Sequence, residues 1–331
     1  MNSFTALGNY STNTSKTEQP VKFVASGYSV SSAYTLAYSY DGTTWNGVTN
    51  SRTNIFTTSG YAAEWNGNVW VALGQGTNTI ATSTDGINWN SVNGSTDIFS
   101  GRGWNAAWNG NDNMWVAGGQ GTSHTLATST DGGFTWTGQG KTVFADRCTD
   151  VAWNGSLWVA VGAGPTGSTR IASSVDGIIW NQYTGIFSNY GSGVAWGNNM
   201  WVAVGAGTEF TIATSSNGTS WAGVNNSINI FSIGGFGVAW GNNMWVAVGQ
   251  GSYSIAYSYN GTSWFGVNNS NNILTVGYGI AWNSSLGLWV AVGSGSLTIY
   301  TIATSSDGVT WTGVSNSESI FNNTGRGVGS R

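Results

Sequence analysis

Charge is scarce in this sequence: Asp, Glu, Lys and Arg make up 7% of 331 residues, against about 25% in an average soluble domain. With 13 acidic and 9 basic side chains the net charge is −4, so no basic field exists to draw in nucleic acid or an anionic membrane. Cysteine is nearly absent. Cys148 stands alone, which excludes an intramolecular disulfide and a thiolate metal cluster. One histidine and scattered aspartates give no ligand spacing for a metal, and no cofactor is expected. Apolar runs near the roughly 20 residues that span a bilayer are missing, so no membrane insertion is expected. The first ten residues lack the charged and apolar regions of a secretory signal. These absences predict a soluble chain of cytoplasmic synthesis.

What is present in excess is glycine (51) and tryptophan (20). Disordered chains lack the apolar surface that offsets ordering entropy, whereas 14% of this chain is aromatic. It folds, and the tryptophans show how.

A motif Ser-x-Asp/Asn-Gly-x-x-Trp recurs at 39–45, 83–89, 174–180, 215–221, 258–264 and 305–311, with a one-residue-longer copy at 129–136. Successive tryptophans of the motif lie 41 to 47 positions apart. Six of the seven copies are preceded by Ala-(x)-Trp, a short turn, and Trp-Val-Ala-x-Gly, as in Trp196-Gly-Asn-Asn-Met-Trp201. Each unit therefore reads as four short strands. Asn-Gly and Gly-Asn at the first turn signal a type I′ hairpin. The Val/Ala/Trp runs are continuous rather than alternating, which suits strands buried on both faces. Units of this length with four strands are propeller blades. The expected fold is all-β: a seven-bladed β-propeller with four antiparallel strands per blade.

The first unit lacks an inner strand, and the chain ends on Ile320-Phe321 followed by Gly325-Arg-Gly-Val-Gly-Ser330, which matches the missing piece. The C-terminal strand is thus expected to close blade one; Thr5 to Asn9, a weak copy of Val-Ala-Trp-Gly-Asn, is the competitor. The expected organisation is an N-terminal extension, 1–20, packing on or near the closing blade, and one propeller, 21–331.

Ser129 to Trp136 resembles a complete Asp-box of the sialidase-type (BNR) repeat propellers, and the other six copies resemble a shortened variant. The resemblance implies a structural turn at the blade periphery, with Asp41, Asp85, Asp131, Asp176, Asn217, Asn260 and Asp307 as its acceptors. The wording of the repeat over nearly the whole chain also resembles repeat proteins of large DNA viruses of protists. That implies a virion or surface-associated interaction protein, assembled on a larger particle.

Function should sit where the repeats differ. The residue four before each strand-one tryptophan is Tyr61, Trp104, Thr149, Ser192, Phe236 and Tyr278, with Arg326 in the closing position. Aromatic rings around a propeller mouth could stack on sugars or hold a peptide. Arg102 and Arg147, two positions earlier in blades three and four, join Arg170 and His124 from the following loops as an anion-preferring sector, because guanidinium forks suit carboxylate, sulfate or phosphate. The competing reading makes the aromatics hydrophobic caps and the arginines ordinary surface charge. A sialidase-like hydrolase needs an arginine cluster, a tyrosine polarised by glutamate and an acid/base aspartate; of the four glutamates, Glu18, Glu64, Glu209 and Glu318, neither Glu64 nor Glu209 lies beside an obvious set of this kind, so no catalytic residue is assigned. The expectation is a non-enzymatic module for a glycan or protein partner, with a multivalent lectin and a divergent glycosidase as alternatives.

Overall fold

The computed structural model describes residues 19–29, 34–165, 167–295 and 300–331. They form seven four-stranded antiparallel sheets around a central axis, each running from an innermost to an outermost strand in chain order, except where the ring closes. There, Thr324–Ser330 is the innermost strand of blade one and pairs with Phe23–Tyr28, in register from Phe23↔Ser330 to Tyr28↔Thr324. The C-terminal closure is therefore as the repeat implies. The competing segment at 5–9 lies outside the described residues, as does the extension 1–20 apart from residues 19 and 20.

The second strand of each unit carries the packing. Trp70, Trp115, Trp158, Trp201, Trp245 and Trp289 open this strand in blades two to seven, and Phe23 takes the place in blade one; all seven are 0% exposed. The Val and Ala that follow are buried because each sheet has a neighbour on both sides. Seven hydrophobic clusters result among the described residues, one at each blade–blade junction. At the junction of blades five and six, for example, Val202 and Val204 meet Trp245 and Ala247.

The Ile-Phe element after each unit places a ring against the second strand of the next blade. Phe56, Phe99, Phe144, Phe187, Phe231 and Phe321 are all 0–1% exposed, with Leu274 at the remaining junction. Second-strand glycines make room for them: a methyl at Gly74 would lie 2.3 Å from the Phe56 ring.

The first hairpin turn departs from the sequence expectation. Blades five and six make it with two left-handed residues, Asn198–Asn199 and Asn242–Asn243, as a type I′ turn requires. The longer Asn109-Gly110 turn of blade three has its positive-φ residue at Asn113; in the Asn-Gly turns of blades two and four it is Gly67 and Gly155 alone. Asn66 and Asn154 instead turn their side chains inward, each Oδ1 accepting two backbone N–H groups two and three residues on. An asparagine that satisfies the turn with its amide oxygen has no need of positive φ.

Candidate functional site

At the rim, all seven Ser-x-Asp/Asn-Gly turns adopt one hydrogen-bond pattern. In blade two, Ser83 Oγ donates to Asp85 Oδ1 (2.9 Å) and accepts from the Gly86 N–H (2.8 Å). Asp85 Oδ1 also accepts from Ile87 and Asn88, and the Trp89 indole donates to the Gly86 carbonyl. Asp41, Asp131, Asp176 and Asp307 do the same in their blades. Asn217 and Asn260 reproduce it with an amide oxygen. The turn needs an acceptor, not a charge. Where the acceptor is a carboxylate, partial burial works to raise its pKa, but hydrogen bonds from the turn outweigh this, and Asp131 and Asp307 fall to about 2.

At the axis the blades diverge. In every blade the innermost strand carries one residue more than its partner at the same level. The skipped residues are Tyr61, Trp104, Thr149, Ser192, Phe236, Tyr278 and Arg326. A bulge of this kind leaves one residue out of the ladder and re-aims its side chain. All seven line one central cavity of about 690 Å³. The aromatic positions singled out in the sequence are therefore brought together, by a backbone device repeated seven times.

Guanidinium groups link the rings. Arg326 lies over Tyr61 and Tyr278, at 5.0 and 5.7 Å from their centroids. Arg102 lies over Tyr61 and Trp104 at 5.5 and 5.3 Å, and its Nη1 donates to the Tyr61 hydroxyl (2.9 Å). Tyr61 meets Trp104 edge-on at 4.6 Å, and Phe236 stacks on Tyr278 at 5.4 Å. A girdle of rings and cations thus runs from blade six through blades seven, one and two to blade three. Thr149 and Ser192, the small bulge residues, leave the remaining sector open, flanked by Arg147 over the Tyr190 ring (5.4 Å). Among the described residues the single ion pair is Arg147–Asp146 (2.6 Å). Arg102 and Arg326 have no carboxylate partner, and the Arg102 Nε, Arg326 Nε and Trp104 indole N–H are buried without an acceptor.

The other two members of the expected cationic sector lie elsewhere. Arg170 is 3% exposed and donates to the Gly164 and Pro165 carbonyls and to Ser168 Oγ, so it staples its own loop. Burial and the nearby Arg147 lower its pKa. His124 belongs to the periphery: its ring covers Gly138 of the outermost strand, and Nδ1 accepts from the Gly140 N–H (2.9 Å). Tyr34, Phe210, Tyr253 and Tyr300 occupy the same place over Gly47, Gly223, Gly266 and Gly313.

Below the mouth lie polar residues that the sequence reading did not assign to the site. Three positions before the strand-one tryptophan, blades five, six, seven and one carry glycine, where neighbouring inner strands come closest: a methyl at Gly327 would lie 2.1 Å from the Tyr61 carbonyl oxygen. Blades three and four carry Asn105 and Asp150 there. Asp150 bridges three blades, accepting from the Asn105 amide on one side and from the Val194 N–H (2.8 Å) on the other. One position before the tryptophan, Glu64 replaces the alanine of blades three to seven and faces the same cavity. Burial, then repulsion from Asp150, raises Glu64 to about 8; burial raises Asp150 to about 7 against its hydrogen bonds. The signal that could have found them was the break in the repeat at these columns. Deeper still stand Trp65, Trp108, Trp153, Trp196, Trp240 and Trp282, with Arg331 over Trp65 at 4.4 Å.

The described residues hold no group of three or more His, Cys, Asp or Glu able to bind a metal ion, and no helix among them is long and apolar enough to cross a membrane.

No family model and no curated protein matches the sequence. Solved structures do match the fold. The chain is similar to the GH74 enzyme of Niastella koreensis (16% identity, TM-score 0.57), covering 81% of this chain but only 42% of that one. It is similar to a chain of a nidogen/laminin complex (9% identity, TM-score 0.53), covering 74% of this chain and 97% of that one. The third is YCF48 bound to a D1 peptide (14% identity, TM-score 0.58), covering 83% and 93%. At these identities the likeness establishes a β-propeller and nothing finer.

Proposed function

We propose that this chain is a non-catalytic binding module that takes an anionic segment of a partner polypeptide at the mouth of its central cavity. The observation that carries the reading is the girdle itself: Arg102 and Arg326, without carboxylate partners among the described residues, lying over the rings of Tyr61, Trp104 and Tyr278. Guanidinium forks fixed by ring stacking suit a carboxylate, because little side-chain entropy remains to be lost on binding. The seven bulge residues are of six kinds, which supports one composite site rather than the seven equal sites of a multivalent lectin. Two structural neighbours, one from a nidogen/laminin complex and one bound to a D1 peptide, are in keeping with a protein ligand. The stacked Phe236–Tyr278 pair favours a second reading, an acidic glycan lying on the rings.

A non-enzymatic role is supported by the Tyr61 hydroxyl, which bonds Gln75 and Arg102 rather than a glutamate. Association with a larger particle rests on the resemblance of the repeat alone, and co-sedimentation with particles is its test.

The test of the binding site is a peptide array of acidic, neutral and basic sequences with an acidic-glycan arm. It is run on the wild type and on Arg102→Ala/Arg326→Ala. Acidic probes should bind the wild type and lose about tenfold per guanidinium removed. Equal retention by the two proteins would sink the reading.

A further inference from the structure

The cavity holds two opposite chemistries at two depths. Arg147 and Arg326 line the mouth, with Arg102 over the Tyr61 and Trp104 rings that also line it; Glu64 and Asp150 face the space below, from blades two and four. No cation among the described residues pairs with either carboxyl. Asp150 is held by Asn105 and by the Val151 and Val194 N–H groups. The Glu64 carboxyl makes no hydrogen bond to the described residues, while its backbone belongs to the strand ladder. The other titratable groups facing the cavity are Tyr61, Tyr190 and Tyr278, with Cys148 buried behind Asp150.

Resting on the mouth as an anion site, we propose that an anion binds this cavity together with protons on the Glu64–Asp150 pair, so that the module holds its ligand in mildly acidic or neutral solution and releases it as the solution becomes alkaline. An anion drawn in by the guanidiniums enters the same cavity that the pair faces. Two carboxylates would oppose it, and two carboxylic acids would not. Burial lifts both carboxyls, and repulsion from Asp150 lifts Glu64 further, to about 7 for Asp150 and about 8 for Glu64, which puts the change within reach of ordinary buffers. The sign follows: a bound anion disfavours ionisation further, so binding takes up protons, and affinity falls as pH rises from about 6 to 9. A unit charge several ångströms away in a partly screened cavity corresponds to roughly tenfold in affinity.

Glu64 is also the substitution best placed to test this, since blades three to seven carry Ala107, Ala152, Ala195, Ala239 and Ala281 at its position and fold with them. The probe is a naphthalenesulfonate, whose charge does not titrate in this range and whose ring suits the girdle. Its affinity is measured by calorimetry at pH 6, 7, 8 and 9 for the wild type, Glu64→Ala, Asp150→Asn and Arg102→Ala/Arg326→Ala. The wild type should weaken tenfold or more from pH 6 to 9, with net proton uptake on binding. Glu64→Ala should lose the part of the fall set near pH 8 and keep only the shallower part that Asp150 sets near 7. Parallel profiles in the wild type and Glu64→Ala overturn the proposal. So does an infrared carboxylic-acid band, absent from the two carboxyl variants, that disappears near pH 4 in the wild type. A failure of the anion site itself looks different: Arg102→Ala/Arg326→Ala then binds the probe like the wild type at pH 6, and the proposal falls with it.

Discussion

The rim and the axis of this ring obey opposite rules. At the rim, seven turns use the same serine, the same acceptor and the same tryptophan to make the same bonds, and even an exchange of Asp for Asn leaves the geometry intact. At the axis, seven bulges share one backbone distortion and present Tyr, Trp, Thr, Ser, Phe, Tyr and Arg. Repetition holds the ring together because each blade must bury two faces against neighbours of the same shape. Variation is tolerated where a side chain leaves the ladder and enters an open space. The carboxyl pair extends the contrast downward: Glu64 and Asp150 stand in columns that are alanine or glycine in most other blades.

Three experiments test how far that contrast goes, beginning with the largest effect. Deleting 325–331 removes the inner strand of blade one and exposes Val24, Ala25 and their neighbours along with an unpaired edge. A sharp fall in melting temperature is expected in a thermal scan, and an unchanged one would mean that the ring closes some other way. Next, Trp201→Ala empties a fully buried site that packs against Val159 and Val161 of the neighbouring blade. Chemical denaturation should show a loss of about 3–5 kcal/mol. The smallest effect belongs to the turns. Asp131 lies below its usual pKa when folded, so the stability it adds is present above about pH 4 and drains away as pH falls through about 2. Asp131→Asn keeps the acceptor and removes the titration. Denaturation at pH 7, 4 and 2 should find the wild type ahead by a small margin that closes at pH 2; the margin is small because the turn is largely exposed. A margin that widened on acidification would contradict the turn's hydrogen-bond account.

Much of the scaffold was legible before any coordinates, because a propeller writes its period into the chain. Each blade needs its own tryptophan, hairpin turn and rim turn, and these recur in the sequence as often as in space. Two blade connections carry the period less plainly: Val143-Phe144 and Ile273-Leu274 stand where the others have Ile-Phe, and Phe144 and Leu274 are buried all the same. The mouth was legible in part. Tyr61, Trp104, Phe236, Tyr278 and Arg326 fall in one column of the repeat, and Arg102 and Arg147 sit two residues earlier. Arg170 and His124 looked equivalent to them in spacing, yet one is buried in its own loop and the other lies over an outer strand. Spacing counts residues along a strand. It does not say which end of a blade a loop returns to.

The sequence alone determined the blade number, the strand count and the closure by the last seven residues, since all three follow from counting copies of a pattern and finding one piece missing. Tertiary structure decided the rest. Only the ladder shows that one residue per inner strand is skipped, and the skip is what turns a column of unlike side chains into a mouth. Only the closing of the ring brings Glu64 of blade two within electrostatic reach of Asp150 of blade four, 86 positions later in the chain. Local preferences fix the elements. The charge that a cavity carries depends on which elements end up facing one another across it.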